Sequence, residues 1–149
     1  MNNCLFVSVG NNPNLSICNN TYVFYYIGQY TTAFSNGGIV YQITNNGING
    51  SLVSTEEVSL SLSEYKSWCS SYGNGWKSAS SAILNDIYSV TKTINATLSA
   101  ISLPLITGDY WLYQQGERWY FMNMDTGATS WFTSTNPSPS RKGRAVRTF

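Results

Sequence analysis

The sequence predicts an α+β fold in which two helices sit between two groups of antiparallel strands. Three observations carry that prediction. The chain has 149 residues, enough for one ordinary core without a second. Apolar residues recur at three- and four-residue spacings between Ser61 and Pro104. On either side of that stretch, short runs rich in β-branched and aromatic residues alternate with clusters of Asn, Gly and Pro, which is the spacing of strands and turns.

Taken in order, Leu5 to Val9 reads as a strand, Asn11-Asn12-Pro13-Asn14 as a turn, and Tyr22 to Ile27 as the next strand. The run Tyr22-Val23-Phe24-Tyr25-Tyr26-Ile27 has no polar break, so both its faces are expected to be covered, by the domain or by another subunit. Gly38 to Ile43 is a further strand. Asn46-Gly47 and Asn49-Gly50 then supply tight turns, because both residue types tolerate positive φ, and Leu52-Val53-Ser54 returns as the second arm of a hairpin.

Ser61 and Glu64 have capping-box spacing, and Leu62, Tyr65, Cys69 and Tyr72 share one helical face before Gly73 supplies a stop. A longer helix is expected from about Ser80 to Pro104, with Ile83, Ile87, Val90, Ile94, Leu98 and Ile101 as its core stripe. After Gly108 the strands resume as Tyr110 to Tyr113, Trp119 to Met124 and Thr129 to Phe132, with turns at Gln115-Gly116 and Asp125-Thr126-Gly127. Thr135 to Ser140, with two prolines, interrupts the sheet, and Arg144 to Phe149 closes it.

Composition narrows the function. Charged residues are 10% of the chain, aromatics 15%, and the net charge is +1, so nothing offers the basic footprint that grips a phosphate backbone. Arg141, Lys142 and Arg144 crowd together but read as a solvated terminal strand. There is no histidine, which excludes a Ser-His-Asp or Cys-His centre within the chain. Cys4, Cys18 and Cys69 have no C-x-x-C spacing, so no metal site is expected; a Cys4 to Cys18 bridge is one possibility, and buried free thiols are favoured. No run approaches the roughly 18 apolar residues that span a bilayer. The start lacks the basic region of a secretory signal, so a chain natively beginning at Met1 is not expected to be exported on its own.

Several segments are more specific. Gly37-Gly38-Ile39-Val40-Tyr41, Gly47, Gly50, Val53-Ser54, Cys69-Ser70-Ser71-Tyr72-Gly73-Asn74-Gly75-Trp76, Leu84-Asn85-Asp86-Ile87-Tyr88 and Ile94-Asn95-Ala96 occur in an order that resembles one bacterial domain family. It is the Fibrobacter major paralogous domain, or C-terminal domain of Legionella collagen-like proteins. Gly108-Asp109-Tyr110-Trp111 is similar to its Gly-x-Tyr-Trp segment, and Gly143 to Phe149 to its closing Arg-Ala-Val-Arg-x-Phe. The resemblance covers about residues 36–149 and implies a C-type-lectin-like fold related to the formylglycine-generating enzyme; the strand pattern ahead of it is read as a separate strand-rich segment at residues 1–35. It also implies a display scaffold of cell-surface adhesins, lipoproteins and phage tail or fibre proteins. The chain departs from the family at Lys77-Ser78-Ala79-Ser80 and at Leu112-Tyr113, so a ligand site built from those segments does not carry over.

For a binding patch the candidates are Tyr110, Trp111, Tyr113, Trp119, Tyr120 and Trp131, because aromatic rings stack on sugars and give large contact area at little entropy cost. Strand alternation puts Tyr110 with Leu112 on one face and Trp111 with Tyr113 on the other. Trp111 and Trp119 are expected to be buried, leaving Tyr113, Gln115, Tyr120 and Trp131 as contact residues. Asp109, Glu117 and Asp125 are scattered, and no Glu-Pro-Asn or Gln-Pro-Asp triplet is present, so a calcium-dependent sugar site is not expected. The same acids could supply a carboxylate pair for glycoside hydrolysis only by chance, and no activated nucleophile or base accompanies them.

The expectation is therefore a non-enzymatic virion surface protein of a bacteriophage, a head or tail fibre or decoration subunit without a cofactor. Its N-terminal segment would dock on other virion proteins or form a trimer, and its lectin-like domain would face a glycan or host-surface protein. A bacterial cell-surface adhesin or pilus-tip domain is the alternative, and an enzyme of the formylglycine-generating lineage is disfavoured.

Overall fold

The computed structural model describes residues 23–134 and 139–149, together with the backbone of residues 4–9 and 12–18. β1 (Cys4–Val9) and β2 (Asn12–Cys18) form an antiparallel hairpin whose register sets Cys4 opposite Cys18. The expected turn over residues 11–14 is therefore shorter, since the strand has already resumed at Asn12.

Residues 23–27 do not form the expected strand, and Tyr22 lies outside the described residues. Tyr25 N–H donates instead to Gly47 O in a turn and Tyr26 N–H to Gln29 Oε1. Tyr25 alone turns fully inward, while Val23 is 59% and Tyr26 45% exposed, so this run is not covered on both faces within the chain. Tyr25 meets Phe149 with ring centroids 4.6 Å apart, and Phe34 meets Phe149 at 5.0 Å. The expected division at residue 36 thus runs through continuous packing.

Among the described residues two five-stranded sheets enclose the core. The first takes β3 (Tyr30–Thr31), β4 (Gly38–Thr44), β5 (Asn49–Ser54), β12 (Ala145–Thr148) and β7 (Lys77–Ser78), in that spatial order. The predicted hairpin is β4 with β5, turned by a short 3-10 segment at Asn45–Gly47. The second sheet runs β10 (Thr129–Thr133), β9 (Arg118–Asn123), β8 (Asp109–Gln115), β11 (Arg141–Gly143) and β6 (Val58–Leu60), antiparallel except where β11 lies parallel to β8.

The fold is α+β with three helices among the described residues, where the sequence pattern had indicated two. α1 (Leu62–Ser71) carries the predicted capping box at Ser61 and Glu64 and buries Leu62, Tyr65, Cys69 and, just past its end, Tyr72. The long helix is divided into α2 (Ser81–Ser89) and α3 (Thr91–Ala100) at Val90, whose φ of −121° and ψ of 12° are not helical. Ser89 Oγ donates to Asp86 O and Thr91 Oγ1 to Ile87 O, so two hydroxyls occupy carbonyls at the joint, beside β-branched residues that favour helix weakly. The apolar stripe continues across the break, with Leu84 buried where Ile83 was expected: Leu84, Ile87, Ile94 and Leu98 pack with Ile39, Tyr110, Leu112 and Met122 in one cluster, and Ile83 and Val90 are partly buried against it. Ile101 lies past α3 and is exposed.

Residues 141–149 cross from one sheet to the other, and Arg144 sits at the crossing. It is 2% exposed, which corrects the reading of Arg141, Lys142 and Arg144 as a solvated strand. Its guanidinium donates to Ser54 O at 2.9 Å, Thr55 O at 2.8 Å and Pro104 O at 2.6 Å, and lies 3.3 Å from Glu57 Oε2. Tyr110 also donates to that carboxylate, and Lys142 Nζ approaches it at 3.4 Å. A buried cation is tolerable here because its bonding groups are matched by acceptors. Among the described residues no helix is long and apolar enough to cross a membrane.

Candidate functional site

The outer end of the second sheet is built from three consecutive strands. β8 and β9 are joined at Gly116, which takes a φ of 58° in a tight turn. β9 and β10 are joined by a loop that Asn123 organises, its Oδ1 accepting from the backbone N–H groups of Asp125 and Thr126. Gly127 completes that loop at a φ of 75°, where the ring of Tyr88 leaves no space for a Cβ.

The register brings aromatic residues into cross-strand rows. Tyr113 lies opposite Tyr120, and Tyr120 opposite Trp131; one step further out, Gln115 faces Arg118, and Arg118 faces Thr133. Alternation from Trp111 would place Tyr113 beside it, but the ladder has a β-bulge at Leu112, so Trp111 pairs with Phe121 and Tyr113 with Tyr120. Trp111 and Tyr113 consequently lie on opposite faces, which corrects the alternation expected from the sequence.

The inner face holds Trp111, buried with its indole N–H donated to Leu60 O at 2.8 Å, beside the half-buried Trp119 and Phe132. Tyr110 is buried as well, against the helical stripe on the opposite face. Past the end of that stripe, Tyr113 stacks on Tyr120 with centroids 4.6 Å apart and planes 19° from parallel. Tyr113 is 40% and Trp131 49% exposed, Gln115 is exposed and Tyr120 half-buried. The four expected contact residues therefore occupy one end of one sheet, and Gln115, Tyr120 and Trp131 share an open hollow of about 590 Å³ with Glu117, Arg118 and Thr133.

Arg118 is the residue the sequence reading missed. Its guanidinium carbon lies 4.1 Å from the centre of the Trp131 ring, a cation–π contact at the rim of the hollow. The signal was present in the sequence, since Arg118 stands two residues before Tyr120 and so shares its face.

The acidic residues do not join this group. Asp109 accepts from Asn123 Nδ2 at 2.9 Å and lies 4.0 Å from Arg141 Nε, and Asp125 accepts from the Gly108 N–H at 2.8 Å. Among the described residues no three of His, Cys, Asp and Glu converge as metal ligands would. Cys69 is free and buried, and burial pushes its thiol up to about 12.

No model of a known protein family matches the chain, and no curated protein sequence matches it.

Proposed function

We propose that this chain is a non-enzymatic binding module of C-type-lectin-like fold whose ligand surface is the outer end of β8, β9 and β10. The observation that carries the reading is the cross-strand row Tyr113, Tyr120 and Trp131, set at the edge of the core, against which Tyr120 packs, with the other two rings substantially exposed. Core aromatics are covered by neighbouring elements, whereas this row turns large, rigid, amphipathic side chains toward solvent, the kind that supplies binding area at low entropic cost. Gln115 and Thr133 add uncharged hydrogen-bonding groups beside it. The chemistry suits a glycan, whose rings have apolar faces and whose edges are hydroxyls.

In this reading the module is displayed on a bacteriophage virion as a fibre or decoration subunit, with a bacterial cell surface as the alternative. The low charge of the chain and its resemblance to surface-display domains support that setting. The lectin-like assignment is supported by the strand–helix–strand order and by the packing roles of the resembling residues Gly143, Arg144, Trp111 and Trp76.

The test is titration of the purified chain against a panel of soluble oligosaccharides, followed by Trp131→Ala and Tyr113→Ala. Both variants are expected to keep the melting temperature and to weaken binding of any glycan recognised by tenfold or more, about 1.4 kcal/mol. Unchanged affinity in both would remove this surface as the ligand site.

A further inference from the structure

Three of the four arginines bond to acceptors within the chain. Arg141 reaches Ser140 O and lies near Asp109, Arg144 is enclosed by Glu57 and three carbonyls, and Arg147 donates to Asn74 O. Arg118 differs. Its recorded partner is the Trp131 ring, and among the described residues no carboxylate comes within 4.0 Å of it and no hydrogen-bond acceptor takes its N–H groups. A guanidinium laid on an indole is held in one orientation with its donor edge still free, the arrangement that binds a carboxylate through two parallel hydrogen bonds.

We infer that the hollow takes a sugar bearing a carboxylate. Arg118 grips the acid, Tyr120 and Trp131 cover the apolar side of the sugar ring, and Gln115 and Thr133 bond its hydroxyls. The inference rests on the proposed ligand surface and adds the charge of the ligand to it. Charge complementarity selects this occupant over a neutral sugar, since a neutral sugar would leave the donor edge of Arg118 without a charged acceptor among the described residues. Glu117 lines the same hollow and repels densely charged anions, which favours a glycan with a single carboxylate per binding unit over a polyphosphate.

The experiment titrates the full chain by calorimetry with tetragalacturonate, sialyllactose, carboxyl-reduced tetragalacturonate and tetraglutamate, and repeats it with Arg118→Gln and Trp131→Ala. At least one acidic sugar is expected to bind about tenfold or more tightly than the neutral oligosaccharide and tetraglutamate. Arg118→Gln should bring the acid down to the neutral level, and added salt should weaken the acid selectively. Equal binding of the neutral sugar, unaffected by Arg118→Gln but lost in Trp131→Ala, would overturn the acidic ligand and leave the aromatic surface standing. Tetraglutamate binding as tightly as the sugars would overturn the inference in favour of an acidic peptide. Absence of binding to every sugar at millimolar concentration would overturn both readings. Arg118 and Trp131 are exposed, and thermal melts of the two variants establish that they are folded.

Discussion

Arg144 joins both sheets through one side chain, and its loss would take the guanidinium donors from three backbone carbonyls and leave Glu57 with only Tyr110 and Lys142 as partners. Arg144→Ala is expected to destabilise the fold by about 3–5 kcal/mol, measured by urea unfolding. Arg144→Lys should rescue little, because an ammonium cannot reach the same spread of acceptors. A second expectation concerns alkaline pH. Burial raises Cys69 to about 12 and raises Tyr65, Tyr110, Tyr41 and Tyr72 above the usual phenol range. Each group holds its proton more tightly in the folded chain. As pH climbs past about 8.5 for the thiol and about 10 for the phenols, the unfolded chain therefore releases protons first and stability falls. Urea midpoints should be level near neutrality and decline steadily above about pH 9, and a rising midpoint there would contradict this burial. At residue scale, sequence pattern identified the helix-facing core well, as Leu62, Tyr65, Cys69 and Tyr72 illustrate. It misjudged Arg144 because charge alone argues for solvent, and only tertiary acceptors separated by about ninety residues reverse that argument.

Elements with a long period were legible and short ones were not. α1 was marked by its cap and stripe, and its cap has a measurable role: Ser61 Oγ accepts from Glu64 N–H, while Glu64 Oε2 accepts from Ser61 N–H at 3.1 Å. Ser61→Ala should cost about 1 kcal/mol by chemical denaturation. β6, β7 and β3 have two or three residues each, too few for any alternation to show, and they exist because β11, β12 and β4 offer them an edge. β11 is the tightest case. A Cβ on Gly143 would lie 2.3 Å from the Tyr65 ring, so the sheet can approach α1 only over a glycine. Gly143→Ala is expected to lower the melting temperature by several degrees, more than Gly116→Ala, where nothing lies within 4 Å and only the positive φ resists. The candidate site was legible as a set of residue types, but its geometry depended on the Leu112 bulge, and an extra residue in a ladder leaves no mark in the alternation of one strand.

For the whole molecule, the N-terminal boundary decides what a truncation reports. Tyr25 packs on Phe149, Thr97 Oγ1 donates to Gly28 O at 2.6 Å, and β3 pairs with β4, so residues 25–35 belong to the folded unit. A deletion ending at residue 22 spares these contacts, whereas removing residues 1–35 should cost about 3 kcal/mol or more. Light scattering of the shorter deletion beside the full chain tests trimerisation through the N-terminal segment without that confusion. A monomer in both would count against it. Residues 141–149 also bear on the order of events during folding. β11 lies between β8 and β6, and β12 between β5 and β7, so until this one stretch arrives each sheet is a three-stranded ribbon with its outermost short strand unpaired. Those ribbons expose unpaired edges that invite wrong partners, and closing them links Val146 to Val53 across most of the chain. A nascent or nicked chain lacking the nine residues that suture the finished molecule is thus expected to aggregate rather than behave as a smaller version of the domain.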